Sequence, residues 1–174
     1  YECLRVRVDR GVAWVTIDHP PINLFDLALI RDMDRVGQEL EGDAAVRVVV
    51  LQSADPEFFI AHADVGLILG LPSEAPPKSS ELSFFHAMVD RFGTMPKATI
   101  AKIEGRARGG GSELVLSVDM RFGALGRAVL AQPEVALGIL PGGSGTQRLP
   151  RLMGRARALE VILGCEDVDA ALAE

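Results

Sequence analysis

Gly105-Arg106-Ala107-Arg108-Gly109-Gly110-Gly111-Ser112-Glu113 is the stretch on which the reading of the chain turns. Three consecutive glycines let the backbone turn sharply and let its N–H groups approach a bound atom, because no Cβ stands in the way. Residues 112–118 follow as the first turns of a buried helix. Such a junction aims free N–H groups and the positive end of the helix dipole at whatever sits there. That favours negative charge, either a phosphate or an oxyanion formed during reaction. Glu113 sets a carboxylate beside this hole. Read alone, the glycine run is also a tight, closely packed turn, and Glu113 a favourable first-turn residue.

Upstream, residues 99–104 read as a strand feeding the glycine loop, and Pro96 closes a helix capped by Ser80 or Ser83. Residues 72–80, rich in proline and serine, are expected to form a mobile flap. A short helix over 65–71 and a loop over 53–64 precede it. Residues 46–52 are too apolar for a sheet edge and read as a buried strand. Asp26 can cap a helix to about Leu40, with Leu29, Ile30, Met33, Val36, Gly37 and Leu40 on one face. Residues 3–9 and 12–17 alternate as a hairpin around Asp9-Arg10-Gly11, and His19-Pro20-Pro21-Ile22-Asn23 ends its second strand. Downstream come short strands at 120–124 and 128–130, helices at 142–152 and 155–163, and a helix starting at Asp169. Strands alternating with helices indicate an α/β class.

The 174 residues are 48% hydrophobic, enough for one domain with a sizeable core. A net charge of -6 argues against nucleic acid or anionic membrane as partner. No apolar run is long enough to span a bilayer, and no secretion signal opens the chain, so a cytoplasmic location is expected. Cys3 and Cys165 fit no ligand spacing and read as free thiols. His19, His62 and His86 make no metal motif.

Four stretches, in order and spacing, resemble the crotonase (enoyl-CoA hydratase/isomerase) superfamily. They are Phe59-Ile60-Ala61-His62-Ala63-Asp64, Gly109-Gly110-Gly111-Ser112-Glu113, Gln132-Pro133-Glu134, and Leu140-Pro141-Gly142-Gly143-Ser144-Gly145-Thr146-Gln147-Arg148-Leu149. The resemblance runs from about Gly11 to the last residue. It implies a single domain over 1–174, folded as a right-handed spiral of ββα units, the fold shared with the Clp-type peptidases. It also implies an acyl-coenzyme A substrate, with coenzyme A as part of the substrate and no metal or redox cofactor. A homotrimer, or a hexamer built as a dimer of trimers, is the implied assembly. Family members usually continue into a C-terminal helical segment that packs at the trimer interface and covers part of the acyl pocket. The 174 residues stop short of that segment, which is expected to be either a disordered tail or truly absent.

Carried over by motif position, the backbone N–H groups of Ala63 and Gly110 form the oxyanion hole, with Ala61, His62, Gly109 and Asp64 around it. Loss of one such donor typically costs about 3–4 kcal/mol in the transition state. Glu113 and Glu134 occupy the positions of the hydratase glutamates, which flank a water. One activates it for attack at the β-carbon and the pair supplies the α-proton. Double-bond isomerases of the family typically keep the carboxylate at the Glu134 position and lose the one at Glu113, so keeping both favours 2-enoyl-CoA hydratase. The acyl chain would lie along residues 65–71 and the following flap. His62 stands where the family usually has glycine; at a positive φ it would be strained. It reads as tolerated scaffolding, Asp64 as a helix cap, Arg148 as structural, and Gln132-Pro133 with Pro141-Gly142-Gly143 as turns that fix the backbone around Glu134. The rivals are an enoyl-CoA isomerase or another acyl-CoA lyase or hydrolase of the same fold, and a non-catalytic acyl-CoA-binding protein. A P-loop is absent, residues 142–146 miss GxSxG by their last residue, and Ser112 is followed by glutamate, which argues against a serine nucleophile.

Overall fold

The computed structural model describes residues 1–174 except 73 and 75–78. The chain runs β1 (Leu4–Asp9), β2 (Val12–Ile17), α1 (Leu27–Gly42), β3 (Val48–Ser53), β4 (Phe58–Ile60), α2 (Val65–Leu69), α3 (Phe84–Thr94), β5 (Ala98–Ile103) and β6 (Arg106–Arg108). It continues with α4 (Gly110–Ser117), β7 (Met120–Gly123), β8 (Val129–Ala131), a 3-10 turn (Glu134–Leu137), α5 (Gly145–Gly164), β9 (Val168–Asp169) and α6 (Ala170–Ala173).

Two sheets share these strands, in orders β1-β2-β3-β5-β7 and β4-β6-β8-β9. After the antiparallel β1-β2 hairpin, the long strands β2, β3, β5 and β7 pair in parallel. Each of β3, β5 and β7 is followed by a short strand of the second sheet, and those three short strands, β4, β6 and β8, are parallel too. A helix follows each pair, so strand, strand, helix repeats and the chain winds as a spiral of ββα turns. This is the crotonase-like α/β fold expected from the sequence.

The long strands carry the β-branched residues. Val49 and Leu51 of β3 and Val15 and Ile17 of β2 are fully buried on one face of the sheet, while Trp14 and Thr16 on the other face of β2 are half-buried. Asp26 caps α1 by accepting from the Leu29 N–H, and the apolar stripe of α1 faces the core as its spacing predicts. Ser83, one of the two expected caps, begins α3. The helices expected at 142–152 and 155–163 are the two halves of α5, parted at Gly154, whose φ of 79° is non-helical.

The expected loop over 53–64 contains β4, the glycine loop contains β6, and Val168–Asp169 forms β9 against β8. These strands have two or three residues, too few for an alternation to register; their neighbours define them. The flap expected over 72–80 falls largely on residues 73 and 75–78, outside the described residues.

Candidate active site

The three site motifs leave the carboxyl ends of three adjacent parallel strands. Ala61-His62-Ala63 follows β4, Gly109 to Glu113 follows β6, and Gln132-Pro133-Glu134 follows β8. Arg108 pairs with Ala131, and the Gly109 N–H donates to the Ala131 carbonyl at 3.0 Å, so the last two segments start side by side. The ends of parallel strands are where α/β folds gather ligand groups.

Ala63 forms a parallel bridge with Phe25. The Phe25 N–H donates to the His62 carbonyl at 2.9 Å, and the Asp64 N–H donates to the Phe25 carbonyl at 3.1 Å. In a parallel bridge the middle residue turns its own N–H and C=O the other way. The Ala63 C=O meets His62 Nδ1 at 2.8 Å, while the Ala63 N–H has no acceptor among the described residues. Gly110 opens α4, whose first internal bond runs from the Glu113 N–H to the Gly109 carbonyl at 2.9 Å. The Gly110 N–H is therefore one of the helix's orphan donors. Gly109 supports this entry at φ 53°, a left-handed value that favours glycine. A Cβ placed on Gly110 would stand 3.4 Å from the Ala63 Cβ, so the two residues with free N–H groups are neighbours.

Glu113 and Glu134 are both buried, at 4% and 8% exposure. Glu113 Oε1 accepts the Gly145 N–H at 2.8 Å. Burial pushes the Glu113 carboxyl up to about 7, with the charge of Glu134 adding to the rise and the N–H groups of Gly145 and Gly143 opposing it. Burial also raises Glu134, whose Oε2 has no partner among the described residues. Glu134 Oε1 lies 3.1 Å from where a Cβ on Gly109 would stand. The structure thus brings both glutamates into electrostatic contact beside the Ala63 and Gly110 donors. Two buried carboxyl groups, one raised by the charge of the other, lose their protons in separate steps, so that over an intermediate pH range the pair holds one proton and offers one acid and one base.

Two supporting groups differ from the sequence expectation. The Pro141 to Gly145 loop, expected to fix the backbone around Glu134, serves Glu113 as well: Gly145 donates to its carboxylate and also packs against Gln132, a Cβ there standing 2.9 Å from Gln132 Oε1. A Cβ on Gly143 would overlap Glu113 Oε2 and stand 2.6 Å from Phe85 Cε1. Phe85 itself, which packs edge-on against Phe25 at 5.4 Å, carries no motif signal and was invisible in the sequence. His62 has no positive φ, so no strain attends its replacement of glycine; its side chain is exposed. Asp64 caps α2 by accepting from the Gly66 N–H at 2.8 Å. Arg148 pairs with Asp90 at 3.3 Å and with Ser144 Oγ at 3.0 Å, a structural role. α2 buries no residue, and Leu69 and Leu71 are exposed beside the expected acyl path. Among the described residues, no group of three or more His, Cys, Asp and Glu side chains gathers as a metal cage.

Comparison with known proteins agrees with the fold. The chain is 36% identical over 160 residues to the short-chain-enoyl-CoA hydratase of Clostridium acetobutylicum, covering 91% of this chain and 60% of that protein. It is 37% identical over 164 residues to a protein of Bacillus subtilis named "Probable enoyl-CoA hydratase", covering 91% and 60%. The chain therefore spans well under two thirds of these relatives. The crystal structure of an enoyl-CoA hydratase from Bacillus anthracis superposes with a TM-score of 0.87 at 30% identity, over 98% of this chain and 66% of that one. Residues 7–174 match the family described as enoyl-CoA hydratase/isomerase. By fold, motif order and sequence, the chain belongs to the enoyl-CoA hydratase/isomerase family.

Proposed function

We propose that this chain carries the reaction centre of a 2-enoyl-CoA hydratase, adding water across the conjugated double bond of an acyl-coenzyme A thioester. The observation that carries the reading is the pairing of two buried glutamates with raised proton affinity beside two N–H groups that have no acceptor among the described residues. The thioester carbonyl is held by the Ala63 and Gly110 N–H groups. One carboxylate of the pair takes a proton from water as the new C–O bond forms at the β-carbon. The π electrons move onto the carbonyl oxygen as an enolate, which the N–H pair stabilises. The other carboxyl gives its proton to the α-carbon and the carbonyl reforms. Water is added in full, and the pair ends with the single proton it began with. Coenzyme A enters as part of the substrate, and no step calls for a metal or redox group.

A double-bond isomerase needs one positioned carboxylate to carry a proton between carbons, so Glu113 would be superfluous there. Incubating crotonyl-CoA in heavy-oxygen water separates the readings. Hydration gives a thioester heavier by one labelled water. Isomerisation leaves the mass unchanged, hydrolysis releases free coenzyme A, and a binding protein gives no product. Any of these last three outcomes overturns the proposal.

A further inference from the structure

We propose that His86 is a positioning residue for the glutamate pair, holding the Gly142 to Gly145 loop so that its N–H groups stay on Glu113. The inference rests on reading Glu113 as one of the reacting pair.

The loop has reason to need an external hold. Three of its four residues are glycine, which leaves it costly to order. Its remaining residue, Ser144, sits at φ 116°, a sparsely populated conformation for a residue with a side chain. Such backbone persists only where its surroundings over-determine it. This same loop supplies the Gly145 N–H to Glu113 Oε1 at 2.8 Å and abuts the carboxyl at Gly143.

His86 reaches it from α3, 56 residues earlier in the chain. Its Nε2 lies 2.7 Å from the Gly142 carbonyl oxygen, and its Nδ1 lies 2.6 Å from Ser83 Oγ. A carbonyl oxygen only accepts, so Nε2 carries a proton, and in the neutral imidazole Nδ1 then accepts from the Ser83 hydroxyl. One imidazole thereby joins the capped start of α3 to the loop that grips Glu113. Phe85, the preceding residue, fills the space beside Gly143, so α3 supports the loop by packing as well. The other charged groups lining the cleft with His86 are Asp90 of α3 and Arg148 and Arg151 of α5, and Arg148 Nε also holds this loop by donating to Ser144 Oγ at 3.0 Å; the charge that acts on Glu113 is that of Glu134.

The test is the titration midpoint of the Glu113 carboxyl carbon, followed by carbon NMR and identified by its loss in Glu113→Gln. With His86→Ala the N–H groups drift from Glu113, and its midpoint rises by about one pH unit, a tenfold gain in proton affinity. His86→Gln keeps an amide N–H near the Nε2 position and retains the wild-type midpoint. His86→Asn places its amide near Nδ1, cannot reach Gly142, and behaves like His86→Ala. This pair decides the matter should the alanine variant fail to fold. Lys97→Met, which severs bonds of 2.7 and 2.8 Å to the Asp43 and Val46 carbonyls away from the site, is the destabilised control and leaves the midpoint unchanged. With crotonyl-CoA, His86→Ala is expected to lower kcat about tenfold with KM within about twofold, because the Ala63 and Gly110 donors are untouched.

A folded His86→Ala with the wild-type Glu113 midpoint overturns the proposal, as does an equal shift in Lys97→Met or in His86→Gln. Because the titration needs no turnover, absence of hydration by the wild-type protein would count against the proposed reaction and leave this test standing.

Discussion

At the scale of single residues, the site is a balance between burial and hydrogen bonding at Glu113. Desolvation raises its carboxyl to about 7, against the pull of two backbone N–H groups. A carboxyl whose proton affinity is higher folded than unfolded adds stability at low pH, and that contribution is lost as pH rises through the folded value. Glu134 is raised too and adds in the same direction. Glu113→Gln removes the charge and keeps the shape, so its melting temperature relative to wild type should be higher at pH 8.5 than at pH 5. Calorimetry at the two values checks this, and a constant difference would contradict it. The rate profile should be bell-shaped, with one limb centred near pH 7 and assigned to the pair. Gly143→Ala is a second residue-scale test. Its Cβ would overlap Glu113 Oε2 and press on Phe85, so turnover should fall at least tenfold with a smaller effect on ligand binding. The two glutamates and two donor residues were legible in the sequence because short fixed motifs carry them. The groups that tune them were not. Phe85 and His86 sit in an ordinary amphipathic helix, and only the folded chain brings them against Gly142 and Gly143.

At the scale of elements, α4 shows how a helix can present free donors to a site. All eight of its residues are buried, so its N-terminal N–H groups face the site with little water to compete for them. The long strands and helices were legible from periodicity and capping: Asp26 and Ser83 cap as expected, and the stripe of α1 faces inward. The short strands β4, β6 and β9 were not, since their evidence lies in partners distant in sequence. A buried acid inside α1 also escaped notice. Asp32 Oδ2 accepts from the N–H groups of Glu2 and Cys3 at 2.7 and 2.8 Å, fastening the start of the chain to the helix. Asp32→Ala leaves two donors without an acceptor, at a cost of about 2–3 kcal/mol. Denaturant unfolding should show a lower midpoint at unchanged slope. An unchanged midpoint would mean that the N-terminal residues take no part in the cooperative unit.

At the scale of the whole molecule, the surface carries much apolar area. Leu152, Leu159 and Leu163 of α5 are 48%, 47% and 62% exposed, and Leu137 and Leu140 stand out at 68% and 62%. Faces of this kind are what protein interfaces cover. The homotrimer or hexamer that the family resemblance implies predicts a solution mass that is a multiple of three protomers; a monomer by light scattering at micromolar concentration would contradict it. Fold and site agree at this scale, since the two-sheet spiral delivers all three motifs to one end of the second sheet. The central claim is that Glu113 and Glu134 act together in hydration beside the Ala63 and Gly110 N–H groups. Its most direct measurement is the initial loss of enoyl absorbance of crotonyl-CoA by wild type, Glu113→Gln and Glu134→Gln, with butyryl-CoA binding followed in parallel. The account predicts rapid loss by wild type, at least a hundredfold slower loss in each variant, and little change in binding. Turnover that survives in either folded variant at the wild-type rate would contradict it.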